Sequence, residues 1–132
     1  MNDITYGLKR ILEGSIEYAE ARVRDALKGE GFGVLTEIDV KATMKAKLDV
    51  DFRPYKILGA CNPALAYRAL TEELDIGLLL PCNVVVYTGD QEGTCVVSIL
   101  DPVQQLAVAG RDDIKPLADE VRSRMERVLA AL

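Results

Sequence analysis

The sequence predicts a single α+β domain, built as a two-layer sandwich with helices packed on one face of a sheet of about five strands. Three observations support this fold class. Two long segments, residues 16–28 and 113–129, carry apolar side chains at spacings of three and four, which gives each predicted helix a single apolar face. Five short apolar runs bounded by Gly, Pro, Asn or Asp are typical of strands. The length of 132 residues suits one domain, and the hydrophobic content of 49% allows a core without disulfides.

The N-terminal part of the chain is predicted to form a strand followed by a helix. Residues 4–9 alternate between apolar and polar or small side chains, which is the period of a half-buried strand. Gly14 ends this strand, and Ser15 is a good N-cap for the helix over residues 16–28. A second strand is expected over residues 32–38.

The next two helices are predicted from their N-caps. Asp39 is expected to cap a short helix, and residues 55–61 are then expected to form a third strand. Asn62 followed by Pro63 is a strong helix start, because Asn serves as the N-cap and Pro occupies the first helical position. This helix is expected to end by Glu72.

A turn and a β-hairpin are predicted after that helix. Residues 75–77 are expected to form the turn. The two strands of the hairpin are predicted over residues 83–87 and 94–100, and the loop between them contains Gly89 and Gly93.

The hairpin also bears on assembly. Val84 and Val86 point to one side of the fourth strand and Val85 to the other, so that strand is apolar on both faces. A sheet that is apolar on both faces in so small a chain predicts a homodimer, in which a second subunit covers the face opposite the helices. Asp101-Pro102 is expected to break the last strand before the final helix.

Composition excludes several classes of function. The formal net charge is −5, from 16 basic and 21 acidic residues, and nucleic-acid binding would need a basic face. The chain has no histidine, which excludes Ser-His-Asp and Cys-His catalysis and His-based zinc sites. We find no nucleotide-binding motif, no signal peptide and no membrane-length apolar run. Three cysteines do not suit a disulfide framework, so a reducing cytoplasm is the expected location.

Two cysteines form the candidate site. Cys61 stands just before the helix start at Asn62, where backbone N–H groups and the helix dipole would lower the pKa of a thiol. Cys82 follows Pro81 at the edge of a strand, so a sheet could bring the two thiols together. The alternative is that both are small buried apolar residues, and Cys95, in mid-strand, is expected to lie in the core.

Three kinds of chemistry fit this segment. Two thiolates without histidine suit a soft metal ion such as Cu(I), or zinc with a carboxylate or a second subunit completing the shell. Alternatively, Cys61 and Cys82 could cycle between dithiol and disulfide. The helix N-terminus could also bind an anion, with Arg53 and Arg68 adding charge and Tyr55 or Tyr67 a hydroxyl. The alternative for these residues is that each arginine lies at the surface and each tyrosine is half-buried with its hydroxyl in water, with no role in binding.

Several runs of the chain carry a family resemblance. They are residues 31–39 (GFGVLTEID), 47–48 (KL), 59–63 (GACNP), 66–70 (AYRAL), 77–84 (GLLLPCNV) and 101–102 (DP). Together they resemble the signature of the domain-of-unknown-function 302 (DUF302) family over nearly the whole chain. The resemblance implies a compact α+β domain with a curved, mainly antiparallel sheet, and a dimer. It implies no particular reaction.

The first hypothesis is a homodimeric binding module for a small ligand or soft metal, with a binding site formed by Cys61, Asn62, Cys82, Tyr55 and Arg68. The second is a thiol-dependent redox protein or enzyme, with Cys61 as nucleophile and Cys82 as resolving thiol. A third is an interaction protein with inert cysteines. The sequence leaves open whether the protein is an enzyme.

Overall fold

A computed structural model describes residues 4–132 and shows an α+β fold with one five-stranded sheet. The strands are β1 (Gly7–Glu13), β2 (Gly33–Asp39), β3 (Tyr55–Cys61), β4 (Cys82–Thr88) and β5 (Thr94–Leu100). The helices are α1 (Ile16–Gly29), α2 (Val40–Leu48), α3 (Pro63–Glu72), α4 (Pro102–Ala107) and α5 (Lys115–Ala130), with short 3₁₀ segments at Leu74–Leu79 and Asp112–Ile114. The predicted fold class is therefore confirmed.

The sheet has the order β1-β5-β4-β3-β2, and all its neighbouring strands are antiparallel. Because β1 and β2 lie at opposite edges, α1 must carry the chain across the sheet between them. The rest of the sheet is built by strands that pair with their neighbours in sequence. Within residues 4–132, no helix is both long and apolar enough to cross a membrane.

The core lies between the sheet and the helices α1, α3, α4 and α5. Val84 and Val86 of β4 are fully buried, as are Val23 of α1 and Met125 of α5. Ser15 caps α1 as predicted, because its hydroxyl accepts a hydrogen bond from the Tyr18 N–H. In contrast, α2 contributes no buried residue.

The opposite, open face of the sheet carries an apolar row that crosses four strands. The row consists of Ile11, Val96, Tyr87 and Tyr55, which are successive partners in the sheet register. The rings of Tyr55 and Tyr87 stack with centroids 5.1 Å apart and an interplanar angle of 6°. Ile11 remains 56% exposed. The prediction that this sheet is apolar on both sides therefore holds for this row.

The structure differs from the prediction mainly at helix starts. Asp101-Pro102 was expected only to break β5, yet it begins α4. Asp101 Oδ1 accepts a hydrogen bond from the Val103 N–H at 2.9 Å, and Pro102 takes a first-turn position. The expected turn at residues 75–77 is part of a 3₁₀ helix. The last α-helix begins at Lys115, after a 3₁₀ turn, rather than at Asp113.

Asp101 joins three parts of the fold. Its side chain is buried and receives a hydrogen bond from Arg122 Nη1 of α5 at 2.8 Å. Its backbone N–H donates to the Tyr6 carbonyl at 2.8 Å. The residue thus connects the end of β5, the start of α4 and the middle of α5.

We expect the substitution Asp101→Ala to lower the free energy of unfolding by roughly 2–3 kcal/mol, because it removes a helix cap and a charge-assisted hydrogen bond together. Urea denaturation measures this loss. The matched control is Asp25→Ala, at an exposed position of α1, which should change the free energy by less than about 0.5 kcal/mol. Equal effects of the two substitutions would contradict the role given to Asp101.

Candidate functional site

A cavity of about 330 Å³ lies between the helical layer and the β2–β3–β4 side of the sheet. Its walls are almost entirely apolar. The lining residues are Phe32, Leu35, Thr36, Ala60, Cys61, Asn62, Leu65, Ala66, Ala69, Leu70, Gly77, Leu80, Pro81, Cys82, Pro102, Gln105, Leu106, Leu117 and Val121. The cavity therefore contains both cysteines of the candidate site.

The helix α3 forms one wall of this cavity, and its cap fixes where that wall begins. Asn62 Oδ1 accepts a hydrogen bond from the Leu65 N–H at 3.2 Å, and Pro63 occupies the first turn, as the sequence predicts. The helix then directs Ala66 and Ala69 into the cavity. Small side chains at these positions leave space that a larger residue would fill.

A β-bulge shapes the opposite wall. The register between β2 and β3 shifts between Val34 and Thr36, which places both Leu35 and Thr36 on the cavity. Gly59 permits a close approach here: a Cβ atom at this position would clash with Thr36 Oγ1 and lie 2.8 Å from Pro81 Cγ. Because Gly59 has no side chain, Thr36 and Pro81 can pack directly against the β3 backbone at this wall.

Cys82 is a buried thiol with a defined hydrogen-bond partner. Its Sγ atom donates to Gln105 Oε1 at 3.2 Å, and Gln105 Nε2 in turn donates to the Leu79 carbonyl. Burial, and secondly the nearby Cys61, raise the pKa of Cys82 from 9.0 to about 12. At neutral pH this residue is a protonated thiol.

Cys61 is half-buried, and burial raises the pKa of its thiol. The expectation that the helix start would lower this pKa is therefore wrong. The reason is positional: Cys61 is the last residue of β3 and lies outside α3, whose Leu65 N–H is already bonded to Asn62. The two thiols line one cavity as free cysteines.

The donor set near the thiols bears on the predicted soft-metal site. Within residues 4–132, no three Cys, Asp or Glu side chains come together as a group that could hold a metal ion. A metal bound by Cys61 and Cys82 would need further ligands, such as those from the second subunit expected from the sequence. The metal site stays a prediction.

Two of the predicted binding residues lie elsewhere. Tyr55 lines a groove on the open face of the sheet, where burial, then Tyr87 and Tyr6, raise its pKa. Arg68 points away from the cavity, and its Nη1 atom lies 3.4 Å from Glu120 Oε2 at the surface. The structure thus brings together Cys61, Asn62 and Cys82. The third cysteine, Cys95, is buried in the core as expected.

The site residues predicted from the sequence did not include Gln105 and Leu106, which enter the site from α4. A signal for this helix was present, because Asp101-Pro102 repeats the cap-then-proline pattern of Asn62-Pro63. The aromatic Phe32 and the hydroxyl of Thr36 were also missed, since nothing in the sequence pairs the β2 start with α3.

A solved structure and a family model are similar to this chain. The crystal structure of an uncharacterized conserved protein DUF302 from Bacillus stearothermophilus is similar, with a TM-score of 0.87 and 29% sequence identity. The match covers 97% of this chain and 98% of that chain. No match was found among curated proteins. The model of the family described as "Domain of unknown function DUF302" matches residues 8–132. The chain therefore belongs to the DUF302 family, as the sequence resemblance indicated.

Proposed function

We propose that this protein is a binding module that encloses a small, mainly apolar molecule in the cavity beside Cys61 and Cys82. The observation that carries the proposal is the cavity itself. Its volume of about 330 Å³ lies within the range typical of small-molecule sites, and its walls are apolar.

The lining favours an apolar occupant over water or an ion. Water in such a cavity would find few hydrogen-bond partners, whereas an apolar ligand would gain contacts with the walls. No charged side chain is among the described residues that line the cavity. An ionic ligand would therefore lose hydration without a compensating partner.

The state of the thiols favours binding over redox chemistry. A thiol nucleophile must ionise, yet the pKa values of Cys61 and Cys82 are both raised. The proton of Cys82 is also engaged with Gln105. We therefore assign the two cysteines to the cavity wall as neutral, polarizable groups that contact an apolar ligand.

We further propose that the protein is a homodimer that buries the open face of the sheet. The row from Ile11 to Tyr55 supports a second copy as the occupant, because a two-fold axis would stack identical apolar rows against each other. In the neighbouring row, Val85, Ile57 and Ile38 continue the apolar surface over β4, β3 and β2, whereas Ser98 and Lys9 make its other end polar.

Filling the cavity should weaken binding of an apolar probe. We expect Ala66→Phe to weaken binding of the neutral dye N-phenyl-1-naphthylamine at least about 10-fold, measured by fluorescence titration, because the ring occupies ligand space. The control is Ala64→Phe, at an exposed position of the same helix, which should bind like the parent. If both variants bind as the parent does, the dye does not occupy this cavity.

The raised pKa of Cys82 predicts a loss of stability at alkaline pH. The folded chain retains the thiol proton up to about pH 12, whereas the unfolded chain releases it near 9.0, so stability falls as pH rises through this window. The free energy of unfolding is measured by urea denaturation at each pH. In Cys82→Ala it should fall less steeply with pH than in the parent, by up to about 1.4 kcal/mol per pH unit. If the free energy of unfolding depends on pH equally in the parent and in Cys82→Ala, the result would contradict a buried, protonated Cys82.

A charge on the open face should disrupt the dimer. The parent should sediment as twice its 14.5 kDa mass, and Ile11→Lys should sediment as a monomer. Val108→Lys, at an exposed apolar residue in the helical layer, should remain dimeric. A monomeric parent in analytical ultracentrifugation, or a dimeric Ile11→Lys, would contradict this interface.

A further inference from the structure

Most polar groups in the cavity wall already have partners. The amide of Gln105 accepts from Cys82 and donates to the Leu79 carbonyl, so both of its ends are engaged. Asn62 Oδ1 accepts from the Leu65 N–H. These groups hold the wall together and have little capacity left for a ligand.

The amide nitrogen of Asn62 is different. Among residues 4–132, Asn62 Nδ2 donates no hydrogen bond, although the other end of the same amide is fixed by its role as N-cap. Asn62 is only half-buried, and Arg124 Nε is the one fully buried side-chain nitrogen or oxygen without a partner in the described part of the chain. The Thr36 hydroxyl also lines the cavity, but it can rotate, whereas the Asn62 amide is held by its cap bond. Asn62 Nδ2 is therefore an oriented, reachable donor in a mostly apolar wall.

The surroundings of this donor determine which acceptor it suits. Asn62 Nδ2 and Arg124 Nη1 both lie beside Gly31, at 2.8 and 3.4 Å from the position of a Cβ built there. Two nitrogens of the Arg124 guanidinium are engaged, since Nη1 donates to the Glu30 carbonyl at 2.9 Å and Nη2 donates to Glu120 Oε1 at 3.3 Å, whereas Nε is buried without a partner among the described residues. The charge of Arg124 is paired with Glu120, and no charged residue lines the described cavity, so a neutral acceptor fits better than a carboxylate.

We infer that the ligand carries one neutral carbonyl-type oxygen, which accepts a hydrogen bond from Asn62 Nδ2, on an otherwise apolar body. This inference rests on the proposed binding function and specifies the class of ligand for the same cavity. The apolar body lies against Leu65, Ala69 and Leu106, and the oxygen lies at the end where β3 meets α3. Asn62 thus determines both the start of α3 and the orientation of the ligand.

A matched pair of probes tests the inference. In 1-acetylnaphthalene a carbonyl oxygen stands where 1-isopropenylnaphthalene has a CH₂ group, so the two differ in the acceptor and hardly in shape. Their dissociation constants are measured by displacement of N-phenyl-1-naphthylamine. The ratio of the two constants in the parent and in variants isolates the hydrogen bond, because differences in hydration of the probes cancel.

Asn62→Asp removes the donor but retains a good N-cap, so α3 should still form. We expect it to shift the ratio against the ketone by about 5-fold, the value of one hydrogen bond. Asn62→Gly, which has no side-chain donor and is also tolerated at an N-cap, should shift the ratio in the same direction. The control Gln91→Glu, at an exposed amide in the loop between β4 and β5 and outside the cavity, should leave the ratio unchanged.

The outcomes separate this inference from the proposed function. An unchanged ratio in both Asn62 variants, with both probes still bound, would overturn the carbonyl inference and leave the cavity as a binding site. Binding of neither probe by the parent would overturn the proposed function itself. Tighter binding of 1-naphthoate than of the ketone would overturn the choice of a neutral acceptor.

Discussion

The hydrogen bonds of Asp101 are the constraint on which the site depends. One carboxylate caps α4 and receives the guanidinium of Arg122, so the direction of α4 is fixed relative to α5. That direction carries Gln105 into the cavity, where its Oε1 atom accepts a hydrogen bond from the Cys82 thiol. A buried carboxylate at the end of β5 thereby positions the hydrogen-bond partner of a thiol on the neighbouring strand.

The cavity persists because its walls are anchored independently of one another. Asn62 fixes the start of α3, the amide of Gln105 ties α4 to the segment before β4, and the β2 bulge closes over Gly59. Each anchor is a directional hydrogen bond or a close backbone approach. The walls are therefore held at a distance that apolar packing alone would tend to close.

Local signals predicted much of the fold, and the site depended on features that are not local. The bounds of β3 and β5 and the Asn62 cap follow from short runs of residues. The helix α4 has only six residues, too few to show a helical period. The sequence predicted that Tyr55 and Cys61 share one binding site. They lie at opposite ends of β3, which separates them by roughly 20 Å. Arg68 was also predicted to belong to the binding site, but it lies on the outer side of α3, whose inner side carries Ala66 and Ala69.

The position of β1 has a consequence for the way the chain acquires its structure. Among the strands of residues 4–132, its only partner is β5, and Gly7 pairs with Leu100. During synthesis on the ribosome, the first strand therefore has no place in the sheet until the last strand has emerged. The strands β2 to β5 pair with sequence neighbours and can assemble earlier, whereas β1 closes the longest loop and completes the edge last.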